Sequence, residues 1–179
     1  MGSSKSTLLT PGSLKKAERE LLEYGGIFPS DYQSKKVAAN EDGSLMINTI
    51  LVGNLENPTL VLVHGFGGSG AMYYRVIKGL AENFYLIIID LPGMGSSSRP
   101  TWTARNGIEA DQFFMSAIET WRINMGDLTN FYVAAHSYGG YIFGTYASIH
   151  PQHIRKLLLL SPLGVKEAPL NFSLSKMRW

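Results

Sequence analysis

The chain has 179 residues, 45% hydrophobic and 17% charged, enough apolar material for one core and too little chain for two ordinary domains. Sixteen Lys and Arg against 14 Asp and Glu leave a net charge of +2 with no basic block, so no nucleic-acid partner is expected. The absence of cysteine excludes disulfides, thiol catalysis and thiolate metal sites, and apolar runs such as 59–63 and 157–160 fall far short of the ~18 residues of a membrane span.

Residues 1–12, MGSSKSTLLTPG, read as a flexible polar arm with no long apolar stretch. No secretory signal is therefore expected, and the location expected is cytoplasmic. Ser13 caps a short helix through Glu23, with Leu14, Ala17, Leu21 and Leu22 on one face and Gly25-Gly26 as its stop. Strands at 35–39 and 45–52 flank the turn residues 40–43, which predicts a β-hairpin.

From residue 59 short apolar runs alternate with helix-length segments. Strands are expected at 59–64, 85–90, 131–135 and 154–160, and helices at 71–83, 108–125 and 139–149. Phe113, Ile118, Trp121 and Met125 mark the buried face of the second of these helices. Such alternation predicts a mostly parallel sheet with crossover helices, because a hairpin cannot join a parallel pair. The core is assigned to residues 13–165, and residues 166–179 read as an irregular tail or the start of a lid.

The segment FYVAAHSYGG, residues 131–140, runs from a buried strand into Ser137, two glycines and a helix. This is the context of a nucleophile elbow, in which the serine sits on a sharp strained turn and its second neighbours must be small. Ala135 and Gly139 meet that demand, although Ala stands where Gly is commoner. A serine that merely caps the following helix is the plainer reading of the motif taken alone. A second segment, His64-Gly65-Phe66-Gly67-Gly68-Ser69, leaves an earlier strand and is placed to fold over the same sheet edge. The backbone N–H groups of Phe66 and Tyr138 are then the candidate oxyanion donors.

Residues 65–70 also spell G-x-G-x-x-G, and Asp90 lies 20 residues beyond Gly70, as a dinucleotide fingerprint requires. That reading leaves the serine elbow unexplained, and the unit follows a hairpin instead of opening the sheet. Asp90 more often fixes its own turn than reacts. Arg99 is assigned to a structural salt bridge in preference to a lipid phosphate.

Taken together, residues 64–68, 90–100 and 135–140, with FFMSAIETWR at 113–122, resemble the α/β-hydrolase superfamily. The likeness runs from about Lys16 to Val165. It is similar in particular to the lipid-active subgroup of N-acyl-phosphatidylethanolamine lipases and comparative-gene-identification lipase coactivators, plant members included. The resemblance implies a serine hydrolase or acyltransferase acting on phospholipids, lysophospholipids or acylglycerols through an acyl-enzyme, with no cofactor and no metal. It also implies a lipid or acyl-ester substrate and peripheral contact with membranes or lipid droplets. Some members lack the nucleophile and act as coactivators, so a non-catalytic lipid-surface protein of the same fold is the alternative. No histidine is followed by Asp at the spacing of the H-x-x-x-x-D acyltransferase box.

The triad order in this fold is Ser, acid, His. After Ser137 the chain offers only His150 and His153, at the far end of the next helix, and Glu167 as an acid. His136 is expected to turn away from Ser137, and His64 to order the oxyanion loop. The expectation is the amino-terminal part of a longer hydrolase, truncated before the lid and last strands. A truncated gene product or a non-catalytic remnant are the other two readings, the last leaving strand 154–160 as an exposed edge. Separately, Met1-Gly2-Ser3-Ser4-Lys5-Ser6 fits M-G-x-x-x-[ST] and resembles the arm of Src-type kinases. Gly2 is therefore a candidate for myristoylation, and chance accounts for the match equally well.

Overall fold

The computed structural model describes residues 11–164. Six strands form one sheet: β1 Tyr32–Ala38, β2 Met46–Val52, β3 Thr59–Val63, β4 Tyr85–Ile89, β5 Phe131–His136 and β6 Ile154–Leu160. Their spatial order is β1-β2-β4-β3-β5-β6. β1 pairs antiparallel with β2, and β2 antiparallel with β4. From β4 outward every pairing is parallel. The expected hairpin and mostly parallel sheet are both present.

Parallel strands covered on both faces carry apolar residues at every position, so their side chains divide by parity. Val61, Val63, Ile87, Ile89, Val133 and Ala135 face one way, onto helices α3 (Gly107–Asn124) and α4 (Tyr138–Ile149). Leu60, Leu62, Leu86, Ile88 and Ala134 face the other way, onto Leu22 of α1 (Pro11–Tyr24) and Ile77 of α2 (Tyr74–Ala81). Trp121 is fully buried in the first layer, and its indole N–H donates to Thr49 Oγ1 at 3.0 Å. That bond removes the penalty of a buried lone donor.

Several boundaries differ from the sequence reading for identifiable reasons. Helix α1 begins at Pro11, inside the expected arm, because proline's fixed φ and missing N–H suit the first helical turn. Ala17 is exposed and Glu18 takes the inward position instead. Glu18 Oε2 accepts from Asn48 Nδ2 at 3.0 Å and Ser96 Oγ at 3.4 Å, so a charged residue occupies a site that periodicity assigns to alanine. In α3, Phe114 is buried and Phe113 only partly so. The helix expected at 71–83 divides into a 3-10 turn, Gly70–Tyr73, and α2. Gly25 and Gly26 do end α1. A Cβ at Gly25 would stand 2.2 Å from the Tyr74 carbonyl oxygen, and Gly26 has φ +78°. Strand β6 is an edge, with Leu158, Leu159 and Leu160 exposed.

Candidate active site

The sheet brings the ends of β3, β4 and β5 to one edge, and the predicted site residues from 64 to 139 gather there. Gly2 lies outside the described residues. Ser137 links β5 to α4 with φ +52° and ψ −114°, a conformation that a residue with a Cβ rarely adopts. Its backbone is held from both sides. The Ser137 amide donates to Leu160 O at 3.0 Å, and its carbonyl accepts from Tyr141 at 3.1 Å and Leu163 at 2.9 Å. Strain of this kind persists only where the surroundings over-determine it. The side chain makes no capping hydrogen bond to α4, so the helix-cap explanation of this serine fails.

Close packing explains the small residues around it. A Cβ on Gly139 would meet His64 O at 2.4 Å and Val63 Cγ1 at 2.9 Å. A Cβ on Gly65 would stand 3.0 Å from both Ser137 Cβ and His136 Nδ1. The glycine loop therefore lies directly against the elbow. It turns back through Gly68 N–H donating to Gly65 O at 3.1 Å, with Gly67 at φ +70°, the third position of a type II turn. Tyr138 opens α4, where the first amides have no partner within the helix and the macrodipole favours negative charge.

His64 is 1% exposed. Its Nδ1 faces Gly65 O at 2.6 Å and its Nε2 accepts the Leu91 amide at 2.9 Å. That pattern fixes a neutral ring with the proton on Nδ1, and burial pushes its pKa below the ordinary histidine value. The 3.9 Å approach of Nε2 to Asp90 Oδ1 is thus no ion pair. His64 joins the loop after β3 to the turn after β4.

Asp90 is also 1% exposed. Oδ1 accepts from Gly70 N at 2.6 Å, and Oδ2 from Ser96 N at 2.7 Å and Asn48 Nδ2 at 3.1 Å. Both oxygens are committed to loop backbone and Asn48, and a buried carboxylate so bound is closed to a ribose. The dinucleotide reading fails on this point. Arg99 donates to the carbonyls of Ser97 and Gly95 and forms no ion pair among the described residues, contrary to the expected salt bridge.

Sequence reasoning missed the wall beside the elbow. Phe66, Tyr138, Phe114 and Trp102 form a chain of ring contacts with centroids 5.6–6.2 Å apart. Its two ends, Phe66 and Trp102, are exposed. Burial raises the Tyr138 phenol to about 12, so it stays protonated. Tyr141 stacks on Tyr138 and donates to Asp111 at 2.8 Å. The only legible hint was aromatic density in 102–141. A cavity of about 590 Å³ lies elsewhere, between α1, β1 and residues 96–99.

Among the described residues no imidazole hydrogen-bonds Ser137. His136 is exposed, and His150 and His153 lie at the opposite sheet edge, since Ile154 pairs with Phe131 and Leu160 with His136. No group of three metal-ligating side chains occurs at the Ser137 edge among those residues. No helix among them is long and apolar enough to cross a membrane.

Comparison with known proteins agrees with this architecture. A family model described as the alpha/beta hydrolase fold matches residues 58–177. The chain is 41% identical over 122 residues to a 1-acylglycerol-3-phosphate O-acyltransferase of Arabidopsis thaliana, covering 68% of this chain and 29% of that protein. It is 30% identical over 158 residues to a (lyso)-N-acylphosphatidylethanolamine lipase of Mus musculus, covering 88% and 45%. A crystal structure of a membrane phospholipase A superposes with a TM-score of 0.68 at 28% identity, covering 89% and 46%. The chain thus spans less than half the length of these relatives. With the elbow, the glycine loop and the parallel sheet in place, the chain belongs to the alpha/beta hydrolase fold family.

Proposed function

We propose that this protein is a serine hydrolase of acyl lipids, cleaving carboxylic esters or amides of phospholipids, lysophospholipids or acylglycerols through an acyl-enzyme. The observation that carries the reading is Ser137. It is strained, uncapped, half-buried and packed against a glycine loop. Ser137 Oγ attacks the carbonyl carbon and surrenders its proton to a general base. The carbonyl oxygen becomes an oxyanion facing the amides of Phe66 and Tyr138. The bond to the leaving alcohol or amine then breaks, and that group takes the proton. Water reverses the sequence and frees the acid. The described residues supply no base, so this chemistry requires an imidazole from outside them. The exposed aromatic wall supports an acyl chain as the substrate's apolar part, and the activities named for the relatives support the lipid class. In this reading the wall also contacts membrane or lipid-droplet surfaces peripherally.

A second reading, a non-catalytic lipid-surface or lipase-coactivator protein, is favoured by the missing base among the described residues. A fluorophosphonate probe separates the two. Labelling of the protein that disappears in Ser137→Ala supports the enzyme. Absence of labelling, with vesicle binding retained, supports the binder.

A further inference from the structure

The edge opposite Ser137 carries a second cluster that the hydrolase reading does not use. Glu119 of α3, His150 at the end of α4 and His153 in the 3-10 turn before β6 each direct one ligating atom into a common space. These atoms lie within 4.8 Å of one another, and all three residues are half-buried. We propose that Glu119, His150 and His153 form a binding site for a divalent transition-metal ion such as zinc, which staples α3 to the connection between α4 and β6.

Four observations carry this. The donors are two imidazoles and one carboxylate, a set that zinc accepts with its fourth position left to water. A zinc ion with bonds of about 2.0–2.1 Å holds its donors roughly 3.4 Å apart, and the three ligand atoms, within 4.8 Å of one another, come within about 1.4 Å of that spacing. His153 Nδ1 is buried without a hydrogen-bond partner, and no other buried side-chain nitrogen or oxygen among the described residues is left so. An unpaired buried ring nitrogen is uncommon in native folds and is explained by a water or ion at that place. The ring of His153 stacks at 5.9 Å on that of His150, which rests at 4.8 Å on Tyr146, so both imidazoles are already ordered.

The carboxylate is equally fixed. Arg122 donates to both Glu119 oxygens, at 2.8 and 2.9 Å, and Tyr146 O–H donates to Oε2. Hydrogen bonds of this outer kind orient metal-ligating carboxylates. The Arg122 cation does not forbid a second one, because it also pairs with Asp127 at 2.6 Å. One guanidinium against two carboxylates leaves the group with a negative charge, suited to a dication and two neutral imidazoles.

The test is zinc titration of the metal-stripped 179-residue chain by calorimetry, with cobalt absorption as a probe of imidazole coordination. Single-site binding is expected, with a rise in melting temperature. His150→Gln and His153→Gln are each expected to weaken affinity at least about tenfold and to abolish the cobalt bands. His136→Gln, which alters an exposed histidine away from the cluster, is expected to bind as the parent does. Circular dichroism of the metal-free variants reports whether they fold. Should a variant not fold, protection of the His150 and His153 imidazole signals by zinc in the parent spectrum decides the matter. Absence of single-site binding, equal affinity in the cluster variants, or zinc perturbing only His136 overturns the proposal. None of these readouts involves the Ser137 chemistry.

Discussion

His64 Nε2 accepts the Leu91 amide at 2.9 Å while the other ring nitrogen meets Gly65 O at 2.6 Å. One neutral imidazole thereby ties the turn after β4 to the glycine loop after β3, and sets the height of that loop against Ser137. Replacing it by Ala leaves the buried Leu91 N–H unpaired and opens a cavity. The expected loss is about 2–4 kcal/mol, read from urea midpoints at neutral pH. The pH dependence has a defined sign. Burial lowers the folded-state pKa of His64, so the unfolded chain binds the extra proton first. The stabilisation is full above the unfolded value of about 6.5 and declines as pH falls through it. The stability gap between parent and His64→Ala is expected to narrow on acidification from pH 7.

Ser137 holds a positive φ of 52°. Glycine adopts such backbone freely, so Ser137→Gly is expected to raise stability by about 1 kcal/mol while abolishing fluorophosphonate labelling. Ser137→Ala keeps the strain and is expected to melt close to the parent. An unchanged or lower melting temperature for the glycine variant argues against stored strain at the elbow.

Gly139→Ala places a methyl 2.4 Å from the His64 carbonyl oxygen. Backbone at a strand end and in a helix's first turn cannot yield cheaply, and the expected loss is about 1–3 kcal/mol. Because the displaced strand end leads into the glycine loop against Ser137, labelling of Ser137 is expected to fall further than stability does. Gly144→Ala, where no atom lies within 4 Å of the added methyl, is the matched control, and it is expected to be neutral or slightly stabilising.

Glu119 shows the opposite pH behaviour from a buried histidine. Its pairing with Arg122, against the opposing effect of burial and with help from the Tyr146 hydroxyl, holds the carboxyl at about 2. The folded pKa is depressed, so the stabilisation is complete above the unfolded carboxyl value of about 4.3 and is lost as pH falls from there toward 2. Discounted for partial exposure it is about 2 kcal/mol, and Glu119→Gln is expected to lose roughly that much at pH 7 and only about half as much at pH 3. Urea titrations at the two values check it.

Much of the layout follows from local pattern. Uninterrupted apolar runs such as 85–89 identify strands buried on both faces, and the glycines at 25–26 end α1 where their φ freedom and small size are needed. Ser137 and Gly139 were legible because a strained strand-to-helix turn demands small neighbours whatever surrounds it. Glu18 was not, because its burial depends on Asn48 and Ser96, which arrive from 30 and 78 residues away. Phe114 displaced Phe113 for a similar reason. A helix face is chosen by what packs on it, and neighbouring phenylalanines compete on equal local terms.

The sequence by itself determined where strands and helices form and which serine sits on the bend, since these depend on steric rules acting over a few residues. Tertiary structure decided which polar groups face one another. It made His64 a neutral clamp, turned Asp90 inward onto Gly70 and Ser96, and carried Glu119 across from α3 to His150 and His153. Such meetings are set by crossover geometry and sheet register, which place residues far apart in the chain within bonding distance.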